Sequence, residues 1–294
     1  MDTYLDLKKE LFNQYPYQPF LIQHRLVNHP LFEIKRLIEL SKKLSKDFIR
    51  CNTGQKPINS DYGWLEEQQL KQNFTVQDAI GHIHEFPTWI VLKNVEQDPE
   101  YAAMLNQCLD EIEVYTRVIT PGMFRRYGFI FISSQATQVP FHLDAEHNFL
   151  LQIRGPKIIN IFDPDDPELL SEQQIEEFYA HKYENLIYKE AYQKKAQVYV
   201  LKPGLGLHFP FSAPHWVQNQ NEVCISFSIT YHSDFSKKKA LVYRFNHHMR
   251  KRGFIPTPFG QLPCSDKAKV FVLKNYYALK GLLTGKKHDF FHKY

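Results

Sequence analysis

Val223-Cys224-Ile225-Ser226-Phe227-Ser228-Ile229-Thr230 alternates without a break. Successive side chains of an extended strand point to opposite faces. Cys224, Ser226, Ser228 and Thr230 therefore share a polar face, and Val223, Ile225, Phe227 and Ile229 an apolar one. Such a strand lines a cavity or faces water. Upstream, further short strands are predicted at 216–218, 207–211, 197–201, 157–162, 148–153, around His142 and at 128–132. Arg154-Gly155-Pro156 separates two of these runs and predicts a tight hairpin between them. About eight strands in roughly a hundred residues predict a small double-sheet barrel.

The flanks read differently. Apolar residues at Leu31, Ile34, Leu37, Ile38, Leu40 and Leu44 follow a helical period. A polar, glycine-containing stretch follows at 52–63. Thr75-Val76-Gln77-Asp78 reads as a capping box that opens a short helix to about His84. Trp89-Ile90-Val91-Leu92 predicts a strand, and 98–115 a helix with Pro99 in its first turn. Ser171 caps a predicted helix at 171–181, and the tail predicts helices at 236–252 and 267–283 around a proline-rich break. The expected fold is α+β with a mainly β core: residues 1–126 a mixed flank, 127–235 the barrel, 236–294 a basic helical region.

Composition narrows the class. Of 294 residues, 43% are hydrophobic and 15% aromatic, so global disorder is excluded. No apolar run approaches the ~20 residues of a membrane-spanning helix, so no membrane association is expected. The start, Met1-Asp2-Thr3-Tyr4-Leu5-Asp6, lacks a basic and apolar leader, and the four cysteines form no C-x-x-C pair. Both features predict a reducing, cytoplasmic setting. The net charge of +4 conceals an asymmetry: from Ser236 onward 14 Lys and Arg face two Asp, leaving −8 on the remainder. Such a tail suits a polyanionic partner, though lysine-rich exposed helix faces give the same count without one.

Phe141-His142-Leu143-Asp144 carries the chemistry. Residues i and i+2 of a strand share a face, so an imidazole and a carboxylate can converge on one ion. Two His and one carboxylate, with positions left open, is the arrangement that holds ferrous iron in oxygenases. His215, in Ala213-Pro214-His215-Trp216-Val217, is the expected second imidazole. His208 is its rival, read instead as a buried histidine bonded to backbone. His147 reads as a rim or substrate-side residue, and His247-His248 as surface. Lys157 stands thirteen residues after Asp144, on the next predicted strand. A cation on a barrel wall is costly without an anion, and a dicarboxylate cosubstrate would supply one.

Phe141-His142-Leu143-Asp144, Asn148 through Gly155, Lys157, Phe162-Asp163-Pro164 and Ala213 through Val217 together resemble the cupin-like Jumonji C oxygenases. Within them the chain is most similar to the branch of the asparaginyl hydroxylase acting on hypoxia-inducible factor and its bacterial relatives. The resemblance implies a double-stranded β-helix, Fe(II) and 2-oxoglutarate. It implies His142, Asp144 and His215 as iron ligands and Lys157 at the distal carboxylate of 2-oxoglutarate. Asn148 would sit near the cosubstrate or the oxygen position, and Ser228 would face the cosubstrate. Relatives carry Thr three residues before the first His; here Val139 fills that place and Thr137 lies two residues earlier, the candidate second contact. Gly204-Leu205-Gly206 stands where relatives have Gly-Asp.

The resemblance implies a dioxygenase hydroxylating a C–H bond, or demethylating by the same step. A protein or peptide side chain is the expected acceptor, with a small molecule or RNA as rivals. A homodimer through the C-terminal helices is a further expectation. The contrasting reading is a non-catalytic cupin-fold regulatory module that uses the basic tail to bind a partner. A metal-dependent cupin enzyme that works without 2-oxoglutarate is a third.

Overall fold

The computed structural model describes residues 3–53, 57–59, 75–85, 87–181 and 186–285. Most of the polar stretch read at 52–63 lies outside these residues. The chain forms two compact units: Met1–Pro164 with Asn185–His232, and Asp165–Glu184 with Ser233–Tyr294. Among the described residues no helix is long and apolar enough to cross a membrane.

The first unit is built on two antiparallel sheets. In chain order its strands are β1 (Leu5–Asp6), β2 (Phe20–His24), β3 (Ile49–Thr53), β4 (Thr88–Lys93), β5 (Phe124–Ser133) and β6 (Gln138–His142). They continue with β7 (His147–Arg154), β8 (Lys157–Ile161), β9 (Gln197–Leu201), β10 (Leu205–Phe209), β11 (His215–Asn219) and β12 (Cys224–His232). The large sheet runs β1-β2-β10-β7-β12-β5-β4-β3 and the small one β6-β11-β8-β9. The eight strands after residue 123 form the double-stranded β-helix expected, and four earlier strands extend the large sheet on both sides. Only one of those four, β4, is legible as a strand in the sequence.

The two faces of β12 pack against different partners. Ile225, Phe227 and Ile229 of β12 join Phe149, Leu151 and Ile153 of β7 in a core on the outer face of the large sheet. Leu37 and Leu40 of α1 (Ile34–Lys43) and Leu105, Leu109 and Ile112 of α3 (Pro99–Thr116) complete it. The short α2 (Val76–Gly81) contributes Ala79 and Ile80 and is opened by the Thr75–Asp78 capping box. Asp98 caps α3 by accepting from the Glu100 amide, with Pro99 in the first turn. Burying each of these large side chains stabilises by ~1.5–3 kcal/mol. The opposite face meets the small sheet, where Leu150, Ile159, Ile161, Leu207, Phe209 and Val217 form the barrel interior. Cys224, Ser226, Ser228 and Thr230 are all buried, so their polar face lines that interior rather than solvent.

One expectation is corrected. Residues 148–153 and 157–162 do not form a hairpin: β7 pairs with β10 and β12, and β8 with β11 and β9. The chain passes from one sheet to the other at Gly155, whose φ is +65°. A Cβ there would lie 2.4 Å from the Val223 carbonyl oxygen, so glycine is required twice over. A run that alternates and ends in Gly-Pro looks the same whether the next strand pairs with it or faces it.

The second unit is helical: α4 (Glu172–Tyr179), α5 (Asp234–Arg250) and α6 (Pro263–Thr284). Ser171 and Gln174 form a capping box on α4. Buried Glu176 holds Arg250 through two bonds, at 2.7 and 2.9 Å, and Tyr179 stacks on Tyr243. His247 is buried here and only His248 is exposed, correcting the surface reading of the pair. The helical period turns adjacent residues of α5 through about 100°, so one enters the core and the next leaves it.

Candidate metal centre

His142 ends β6 and His215 begins β11, and the two are Cα partners. Val139 pairs with Val217 two residues further along β11 but three further along β6. That extra residue is a bulge, which turns His142 inward although Val139 also points inward. β6 is an edge strand, which accommodates Pro140 without breaking a ladder. Asp144 follows in the turn, held where its carbonyl accepts from the Ser212 amide at 2.7 Å.

The three side chains converge. His215 Nε2 lies 3.6 Å and His142 Nε2 4.0 Å from the Asp144 carboxylate oxygens. One ligand atom from each residue falls within 4.8 Å of the others, the one such cluster among the described residues. Atoms bound to one ion at 2.0–2.2 Å can stand up to ~4.2 Å apart, so a small inward shift closes the set.

The chemistry of the donors fits a cation. His142 Nδ1 lies 2.7 Å from the Pro140 carbonyl and His215 Nδ1 3.0 Å from that of Ala213. A carbonyl only accepts, so each Nδ1 carries the proton and each Nε2 offers a lone pair to the centre. Burial, then the neighbouring His215, pushes the His142 pKa well below its usual value, which keeps the ring neutral. Burial raises the Asp144 carboxyl, while His215 and a hydrogen bond from Asn148 pull it back. Its side chain keeps 27% exposure, and the two rings 4–5%.

Asn148, on β7, links this group to the barrel wall. Ser228 Oγ donates to Asn148 Oδ1 at 2.8 Å. Asp144, Asn148 and Ser228 thus form one hydrogen-bonded chain. Lys157 begins β8 and is 4% exposed. It forms no ion pair among the described residues; burial depresses its pKa, and the Cys224 thiol opposes this. Asn219 faces it on β11, four residues along from His215, which faces Ile161. Thr137 stands at the Lys157 end, its carbonyl accepting from the Asn219 amide. The Thr137 hydroxyl is engaged by Ser134, donating to that residue's carbonyl at 2.9 Å.

Two histidines lie elsewhere. His208 is fully buried, donates from Nδ1 to the Asn148 carbonyl at 3.1 Å and packs on Phe20 and Phe149, outside the barrel. His147 is corrected: it is no rim residue but is fully buried, 2.9 Å from the Tyr15 hydroxyl and stacked on Tyr231. Being next to Asn148, it must point to the other face of β7. Glu146 and His232 were not singled out in the sequence. They lie 3.9 Å apart and are both buried. Glu146 stands in the turn before β7 and His232 at the end of β12, where strand alternation assigns no face to the carboxylate.

The sequence pattern of the family described as a cupin-like domain matches residues 39–237. The chain belongs to the cupin-like domain family. No curated protein sequence matches this cupin-like chain. Among solved structures it is similar to ycfD of Escherichia coli, at 16% identity over 94% of this chain and 69% of that one, with a TM-score of 0.54. That likeness is one of fold. Other structures of the same protein include one described as a ribosomal oxygenase, at 15% identity over 94% and 68% with a TM-score of 0.48. Another holds cobalt and 2-oxoglutarate, at 16% identity over 96% and 70% with a TM-score of 0.48.

Proposed function

We propose that this cupin-like chain is an Fe(II)- and 2-oxoglutarate-dependent dioxygenase that hydroxylates a C–H bond of a protein or peptide side chain. The observation that carries the reading is buried Lys157, without a carboxylate partner among the described residues, in the same sheet as the His142, Asp144 and His215 cluster. An uncompensated buried ammonium is costly, and the distal carboxylate of 2-oxoglutarate is the anion that relieves it. A non-catalytic binding module has no use for this pairing.

In this reading His142, Asp144 and His215 hold the iron, which supplies oxidising power drawn from O2 and the decarboxylation of 2-oxoglutarate. The chain's own residues do the rest. The Pro140 and Ala213 carbonyls fix both rings with Nε2 inward. Asn148, steadied by Ser228, orients the Asp144 carboxylate. Lys157 anchors the cosubstrate, with Thr137 at the same end of the barrel. Leu150, Ile159, Phe209 and Val217 keep the chamber dry. Demethylation would be the same hydroxylation at an N-methyl carbon.

The partner of the second unit is a second copy of this chain. Phe271, Tyr276, Leu279, Leu282 and Leu283 of α6 are exposed at helical spacing, an apolar face suited to a homodimer. Free Cys51, Cys108, Cys224 and Cys264 fit a cytoplasmic setting.

Anaerobic calorimetry with Mn(II) and 2-oxoglutarate tests the reading. The expected result is metal-dependent 2-oxoglutarate binding that Asp144→Ala abolishes. A protein that takes up metal but no 2-oxoglutarate would overturn it in favour of a cupin without this cosubstrate.

A further inference from the structure

The second unit divides its cations into two groups. One group is engaged inside the unit. Arg250 is held by Glu176 at 2.7 Å, Lys238 lies 3.8 Å from Asp266, and Arg244 Nε donates to the Tyr179 carbonyl at 2.6 Å. Lys269 donates to the Thr257 carbonyl, and Lys239 lies in the field of Asp165 and Glu172. The other group is exposed: Lys251, Arg252, Lys267, Lys274 and Lys280, none of them in an ion pair among the described residues.

Three of the exposed cations gather at one place. Lys238 of α5 meets Asp266 near the start of α6, and His248 near the end of α5 is influenced by Lys280 near the end of α6, so the two helices run parallel. Fourteen residues on from that ion pair, about 21 Å along each helix, Arg252 and Lys280 come level. Lys251 and Arg252 directly follow α5, beside His248. His248 is exposed. Partial burial, then His247, Arg252, Lys251 and Lys280, lower its pKa, which keeps the ring neutral at neutral pH.

Helix C-termini attract cations without any partner, because the terminal carbonyls of each carry about −0.5 charge. The ends of α5 and α6 together account for about −1, so three cations leave an excess of about +2. Between Ser236 and Gly285 the only carboxylate is Asp266, which is buried and already faces Lys238. Lys280 stands about 100° round α6 from Leu279, on the side turned to α5. The cations are thus separate from the apolar face assigned to a second copy.

We infer that Lys251, Arg252, Lys280 and His248 form a docking surface for single-stranded RNA. Phosphates take the three cations, and a base stacks on the neutral imidazole. The pattern favours this occupant over a protein, since protein interfaces are depleted in lysine while a phosphate backbone calls for cations alone. The exposed ring favours an unpaired strand, because a duplex keeps its base faces covered, and RNA is chiefly recognised through such unpaired bases. No residue of the metal centre enters the inference, so it stands apart from the oxygenase reading.

Fluorescence anisotropy of the full-length protein with a labelled single-stranded RNA of about 20 nucleotides tests it over a salt series. Three phosphate contacts on a single strand predict that log K falls with log[salt] at a slope of about −2. Replacing Lys251, Arg252 and Lys280 together by Gln should weaken binding at low salt at least about tenfold and flatten that slope. All three side chains are exposed, so the fold should survive. His248→Ala should weaken the single strand at least about fivefold and leave a duplex of equal length unaffected. Lys267→Gln with Lys274→Gln should keep binding within about twofold. No saturable binding to the unaltered protein overturns the inference, and so does binding that survives the triple substitution. Polyglutamate held as tightly as the RNA overturns it in favour of an acidic protein partner, and a duplex or a DNA strand held more tightly overturns the choice of single-stranded RNA.

Discussion

Under the proposed function, Lys157 is a position where stability and cosubstrate binding should part. A methionine there fills similar volume and removes a charge that burial already disfavours. Lys157→Met should hold or raise the thermal midpoint while weakening 2-oxoglutarate binding by about a hundredfold, seen by scanning calorimetry and titration side by side. His24 works through acid instead. Its Nε2 donates to the Gln152 carbonyl and its Nδ1 accepts from the Leu26 amide, so the neutral ring is satisfied and the protonated ring is not. Burial lowers its pKa to about 4, against ~6.5 in the unfolded chain. The sign follows: the neutral ring's contribution is complete above pH ~6.5 and is lost as the pH falls toward 4. His24→Gln should flatten the stability curve over that window in denaturant titrations. The convergence of His142, Asp144 and His215 was foreshadowed by the close spacing of the first two, although Asp144 stands in the turn after β6 and not on the strand. Glu146 was hidden because a carboxylate amid polar neighbours has no pattern until its strand partner is known.

At the scale of elements, pairing was the hard part. Period-two alternation assigns faces, and β12 was read correctly because its two faces differ chemically. It does not choose neighbours, and so β7 and β8 were misjoined across Gly155. That residue offers a sharp test. Gly155→Ala meets both a left-handed φ and the Val223 carbonyl, and should cost at least about 2 kcal/mol by urea denaturation. A neutral effect would mean that the crossing is looser than described. β1, β2 and β3 escaped notice because they are short or lie near a sheet edge, where the hydrophobic signal is thin.

For the whole molecule, composition spoke to class and charge but not to connectivity. The 1–126 segment supplies four strands of the large sheet and much of its outer core. A fragment of 127–235 alone should therefore expose Phe149, Leu151, Phe227 and Ile229, and be recovered as aggregate rather than as a cooperative folding unit. In the second unit, the lysine count drew attention to charge while the exposed side of α6 is apolar. Leu279→Glu with Leu282→Glu should convert a dimer to a monomer in light scattering. A monomer before substitution would leave that face without the second copy assigned to it.

Lys157 and the row of His215 sit on one ladder, four residues apart, which fixes about 13 Å of backbone between them. The pitch of a strand cannot be stretched, so the barrel acts as a ruler for whatever lies along it. A keto-diacid one carbon shorter would strand its far end short of the ammonium, and one carbon longer would buckle. Selectivity for chain length would then follow jointly from that backbone spacing and from the reach of the Lys157 side chain.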